Sequence, residues 1–160
     1  MIAIDTNVLL RYLLDDDKTQ SAKARRLIQR HESILLTDAV LVETVWTLTG
    51  KRYGLERDEI SSVITHLFEE PAFCFENDQT VWRALGDYRN AEPVKVGRRR
   101  KVADFADALI ANKARWIAED AGHLFEGLYS FDAAASVLPK LPLFAGKESA
   151  SSQFNQQGSH

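Results

Sequence analysis

The sequence predicts an α/β protein of three layers, α/β/α, with helices on both faces of a central, mostly parallel sheet of four or five short strands. Two observations carry this expectation. Short apolar runs of strand length alternate with longer segments whose apolar residues recur every three or four positions. Hairpin signals such as Asn-Gly are missing between the runs, so successive strands are expected to connect through helices and lie parallel.

The strand candidates are IAI at 2–4, ILL at 34–36, AFCF at 72–75 and LYSF at 128–131. The helix candidates lie between them. DKTQSAKARRLIQR puts Ala22, Leu27 and Ile28 on one side. LERDEISSVITHLFEE spaces Leu55, Ile60, Val63, Ile64, Leu67 and Phe68 at helical intervals. NDQTVWRALGDYRN opens on the cap-competent Asn77, and ADFADALIANKARWIAE is Ala-rich throughout. In parallel sheets of this kind the functional crevice lies beyond the carboxyl ends of the strands.

Composition narrows the class. A chain of 160 residues is expected to form one domain, here 1–145, followed by a small, polar and disordered tail at 146–160. The single cysteine, Cys74, excludes a disulfide framework and is expected to be a buried, inert thiol. The four histidines have no zinc-ligand spacing. The first apolar run is broken by Asp5 and has no basic flank, so it is not a signal peptide, and no run is long enough for a membrane span. A cytoplasmic protein is expected. Net charge is −3, but KVGRRRK at 95–101 holds five of the twenty Lys and Arg residues. Such clustering is a footprint for a polyanion, whatever the total charge. Trp46, Trp82 and Trp116 are expected in the core or an interface. Arg11 is expected in a surface ion pair, and the DDD run at 15–17 as a loop and helix-start feature.

Acids stand where the crevice rule directs attention. Asp5 follows the first run, Asp104 and Asp107 open the Ala-rich helix, and Asp132 ends the last run. Glu43 is the exception, a carboxylate about two turns inside the apolar helix DAVLVETVWTL. Each has an ordinary explanation. Asp5, Asp104 and Asp132 can be N-caps, Asp107 an N3 acid, and Glu43 a solvent-facing helix residue. Together they are harder to explain, because carboxylates about 5 Å apart repel by roughly 3 kcal/mol per pair at an effective dielectric near 20. Hard oxygen ligands without His or Cys select Mg²⁺ or Mn²⁺, and such a metal can activate water against a phosphodiester. A basic stretch just before Asp104 would hold the phosphate backbone beside it, through Lys95, Arg98, Arg99, Arg100 and Lys101.

Four motifs in order then resemble a known family. D-T-N-V-L-L at 5–10, V-E-T-V-W at 42–46, D-F-A-D-A-L-I-A at 104–111 and S-F-D at 130–132 are similar to PIN-domain ribonucleases. More narrowly they resemble the VapC-type toxins of bacterial toxin–antitoxin systems. The resemblance implies a Mg²⁺- or Mn²⁺-dependent endoribonuclease that leaves a 5′-phosphate and a 3′-hydroxyl. Its acids would be Asp5, Glu43, Asp107 and Asp132, supported by Thr6, Asn7 and Ser130, with Asp104 either an additional metal-site acid or the helix cap. It further implies an RNA substrate, a small VapB-like antitoxin partner and a homodimer. Two alternatives stand beside it. One is a catalytically inactive PIN-like domain that binds RNA or a protein. The other is a haloacid-dehalogenase-type phosphotransfer enzyme, disfavoured because Asn7 occupies the place of that chemistry's second carboxylate and no lysine partner is evident.

Overall fold

The computed structural model describes residues 1–135 and 138. Strand β1 (Ile2–Ala3), β2 (Ile34–Leu36) and β3 (Phe73–Phe75) form a parallel sheet in the order β1-β2-β3. The register pairs Ile2 with Ile34 and Leu36 with Phe75. Helices α1 (Thr6–Leu14) and α2 (Lys18–Gln29) link β1 to β2, and α3 (Asp38–Thr49) and α4 (Arg57–Glu69) link β2 to β3. Helix α5 (Asp78–Asn90) follows β3. A hairpin of β4 (Val94–Val96) and β5 (Arg99–Lys101) then leads into α6 (Phe105–Asp120). No helix among the described residues is long and apolar enough to cross a membrane.

The helices begin where cap chemistry places them. Asp5, Asp17, Thr37, Asn77 and Asp104 all sit in extended backbone, and each side chain accepts a hydrogen bond from a first-turn N–H. Such caps contribute about 1 kcal/mol each. The core is built from the apolar positions the periodicity selects. Ile34 and Leu36 of the central strand are fully buried, as are Leu9, Leu48, Ile60 and Phe105 from four of the helices around it. At roughly 25 cal/mol per Å² of apolar surface, each such side chain stabilises the fold by about 1.5–3 kcal/mol. This burial fixes α1, α3 and α6 against the sheet, and with them the residues at their ends.

Several expectations are corrected. The parallel sheet has three strands among the described residues, not four or five, because LYSF at 128–131 pairs with nothing as a strand. Tyr129 and Phe131 are exposed, and the Ser130 hydroxyl accepts the Asp132 N–H in a local turn that competes with a ladder. An apolar run reports a preference for burial and does not supply a sheet edge. KVGRRRK is an antiparallel hairpin, not a loop: Val94 pairs with Lys101 and Lys95 with Arg100. Its two-residue turn places Gly97 at φ +60° in the first central position, as type II′ turns require. Of the core or interface positions expected for the tryptophans, the core is set aside for Trp46 and Trp82, which are more than half exposed. Cys74 is only half-buried, with its Sγ 3.3 Å from the Ser33 hydroxyl. The expected tail at 146–160 lies outside the described residues.

Candidate active site

Three carboxylates stand just past the ends of the parallel strands, where the crevice rule places function. Asp5 follows β1, Asp38 follows β2 and Glu76 follows β3. Their surroundings differ. Lys113 from α6 bridges the second and third, with Nζ 2.7 Å from Asp38 Oδ2 and 2.8 Å from Glu76 Oε2. The Asp38 N–H also donates to Glu76 Oε1 at 3.0 Å. The Lys113 hydrogen bond, then that N–H, holds the Glu76 carboxyl below its usual range. This cluster supplies its own cation. It also supplies a lysine at the strand ends that sequence reasoning missed, but its ion-pair partners are Asp38 and Glu76, not Asp5.

Around Asp5 no such cation stands. Asp5 is the N-cap of α1, and its Oδ1 accepts the Val8 N–H at 2.9 Å. The next residue, Thr6, is buried and donates its hydroxyl to Glu43 Oε2 at 2.6 Å. Glu43 lies on the narrow exposed stripe of α3 with Ala39, Trp46 and Thr49. That single short bond ties the first acid's neighbour to a carboxylate 37 residues away in sequence. Asn7 lines the cleft beside the same glutamate.

A second group forms at the start of α6. Asp104 caps the helix and Asp107 occupies N3, each carboxylate accepting the other's backbone N–H, at 2.8 and 3.1 Å. Burial, then the charges of Asp104 and Asp132, raise the Asp107 carboxyl above its ordinary value, against the lowering effect of the Asp104 N–H. Asp132 is therefore near enough for its charge to be felt. Its own carboxyl is lowered by the Ala134 N–H, which donates to Oδ1, and by Lys101, whose Nζ lies 3.2 Å from Oδ2. Ser130 orients this segment through the Asp132 N–H.

Among the described residues, none of Asp5, Glu43, Asp104 and Asp107 has an ion-pair partner, whereas Asp132 has Lys101. All the donors are oxygens, a set suited to a hard divalent cation, and the Asp107 carboxyl, raised mainly by burial and then by the charges of Asp104 and Asp132, is one that a cation would stabilise in its ionised form. Still, no three acidic, histidine or cysteine side chains among the described residues stand close enough together to hold an ion jointly. The acids come together in two groups, Thr6 with Glu43 beside Asp5, and Asp104, Asp107 and Asp132.

The basic hairpin abuts the second group through Lys101. Antiparallel pairing directs Arg99 and Lys101 to one face and Lys95 and Arg100 to the other, with Arg98 at the turn. All five side chains are exposed.

Two features escaped the sequence reading: the Lys113 cluster, which Glu76 immediately after the AFCF run could have signalled, and a cleft beside Glu43. Arg11 is in the expected surface ion pair, with Asp16, but it also lines that cleft. Compared with characterised proteins, the chain finds no match. The PIN domain model matches residues 2–121, spanning β1 through α6 and the acids from Asp5 to Asp107, so the chain belongs to the PIN domain family.

Proposed function

We propose that this protein is a Mg²⁺- or Mn²⁺-dependent endoribonuclease of the VapC type, the toxin of a toxin–antitoxin pair. PIN domains are commonly nucleases that act on nucleic acid. The observation that carries the finer reading is the contrast in counter-charge: Asp38 and Glu76 have Lys113, while Asp5, Glu43, Asp104 and Asp107 have no ion-pair partner among the described residues. Acids gathered without basic partners are costly unless a cation joins them.

In this reading Asp5, Glu43, Asp107 and Asp132 would hold the metal, and Asp104 would contribute either to the site or only to the cap of α6. When bound, the ion supplies an activated water and neutralises charge developing on the scissile phosphate. Thr6 fixes the rotamer of Glu43, and the capping box holds the Asp107 carboxylate at the helix start. Asn7 presents an amide beside Glu43, and Ser130 orients Asp132. Lys95, Arg98, Arg99, Arg100 and Lys101 hold the RNA backbone, giving binding a steep salt dependence. Lys101 has a second duty, since it neutralises Asp132 before RNA arrives. The toxin role, the VapB-like antitoxin, the homodimer and the cytoplasmic setting follow from the family resemblance of the four motifs. Exposed Trp46, Trp82, Ile110 and Ile117 supply apolar surface for those protein contacts.

The test is expression of the wild type and of Asp5→Asn in bacterial cells, with new RNA ends mapped on total RNA. The wild type is expected to arrest growth and generate 5′-phosphate ends at defined sites, and Asp5→Asn to do neither. Equal end profiles from the two would sink the proposal.

A further inference from the structure

Between α1 and α3, next to Glu43, opens a cleft of about 210 Å³ lined by Thr6, Arg11, Glu43, Thr47, Arg52 and Tyr53. Its two arginines are held differently. Arg11 donates to Asp16 and, through Nε, to Gln20 Oε1 at 2.8 Å, and its side chain is only 29% exposed. Arg52 reaches Asp16 only at 3.5 Å, and its side chain is 73% exposed. The Tyr53 hydroxyl donates to the same Asp16 oxygen at 3.0 Å, and the Arg52 guanidinium lies 5.1 Å from the Tyr53 ring centroid. Asp16 thus satisfies Arg11 and orients Tyr53, while Arg52 keeps most of its donors in water.

We propose that this cleft is the subsite for the nucleotide flanking the scissile phosphate of a single-stranded RNA. Arg52 takes that nucleotide's phosphate, and Tyr53 offers its ring to the base. The inference rests on the ribonuclease reading and adds a specificity-determining element to it. Two points of chemistry favour single-stranded RNA. A planar guanidinium with free donors recognises phosphate. An aromatic ring beside a basic group recognises unpaired bases, which a duplex keeps stacked. The location fits as well: the hairpin touches the acidic set at Asp132 through Lys101, and the cleft touches it at Glu43. A strand crossing the acids therefore meets basic side chains at both ends. Arg11 is not the phosphate ligand, because binding there would require breaking its bond to Asp16.

The test separates binding from cleavage. Binding of a fluorescein-labelled, mixed-sequence single-stranded RNA is measured by anisotropy in EDTA across a salt series, for the wild type, Arg52→Ala and Arg52→Lys. Arg52→Ala is expected to weaken binding about 5–10-fold and to lower the salt slope by about one, with Arg52→Lys keeping the slope. With Mg²⁺, Arg52→Ala is expected to raise KM while kcat stays within about 2-fold, and to relax base preference at one position beside the cut. Unchanged binding, slope and preference in Arg52→Ala, with cleavage intact, would overturn the subsite alone. A wild type that neither binds nor cuts RNA would overturn the ribonuclease reading and the subsite with it.

Discussion

The carboxyl edge of the sheet carries two acidic clusters that look alike in sequence and differ in what neutralises them. Asp38 and Glu76, past β2 and β3, share Lys113 within 2.8 Å. Asp5, past β1, Glu43 of α3, and Asp104 and Asp107 at the start of α6 have no ion-pair partner among the described residues. The first cluster is complete within the chain and contributes to holding α6 on the edge of the sheet. In the second, burial first and then the charges of Asp104 and Asp132 raise the Asp107 carboxyl. Position at a strand end is therefore no guide to role until the counter-charge is known. Asp38 and Glu76 are neutralised by Lys113, whereas Asp5, Glu43 and Asp107 leave room for the external cation proposed above.

Variants that remove an unpaired acid should have the largest effect. Asp107→Asn keeps an oxygen to accept the Asp104 N–H, so the helix start survives, yet RNA cleavage is expected to fall by at least about 100-fold. In differential scanning fluorimetry, millimolar Mg²⁺ or Mn²⁺ should raise the Tm of the wild type by mass action and leave Asp107→Asn unmoved. A smaller loss, about 10-fold in kcat with the fold intact, is expected for Thr6→Val, which removes the 2.6 Å bond that orients Glu43. Rescue by Thr6→Ser would show that the hydroxyl, not the methyl, matters.

The paired cluster should respond in the opposite way. Lys113→Met leaves Asp38 and Glu76 facing each other and is expected to cost about 1–2 kcal/mol, lowering Tm by about 2–8 °C. The Tm response to Mg²⁺ should persist. A Lys113→Met variant that loses its metal response but not its stability would erase the distinction between the clusters.

The smallest effect concerns pH. The folded Glu76 carboxyl is lowered by Lys113, so it contributes stability above its unfolded pKa that is lost as pH falls through the folded value. Urea unfolding of the wild type should weaken between about pH 5 and pH 3, and that slope should flatten in Lys113→Met. Parallel slopes would mean that Lys113 does not set the Glu76 ionisation.

Much of this edge was legible in the sequence, because short-range rules govern it. ILL at 34–36 became β2 unchanged, Asn77 and Asp104 cap their helices, and Asp107 lies at N3 as the spacing requires. What failed depended on contacts distant in sequence. LYSF has the composition of a strand, but only a partner edge can make one, and Ser130 turns the chain locally. KVGRRRK shows its charge in sequence and hides its pairing, since Gly97 alone marks the turn. Lys113 meets Glu76 across 37 residues, and nothing in a helical run of NKARW announces that partner. Trp46, expected in the core or an interface, lies on the exposed stripe of α3 with Glu43.

The proposed centre for cutting RNA is a divalent metal held by Asp5, Glu43 and Asp107, which have no ion-pair partner among the described residues, together with Asp132, which has Lys101. Its most direct test is cleavage of a single-stranded RNA by purified wild type and Asp107→Asn, with Mg²⁺, with Mn²⁺ and with EDTA. The account predicts 5′-phosphate products from the wild type with either metal, and none with EDTA or from Asp107→Asn. Cleavage that continues in EDTA, or that Asp107→Asn carries out at the wild-type rate, would contradict it.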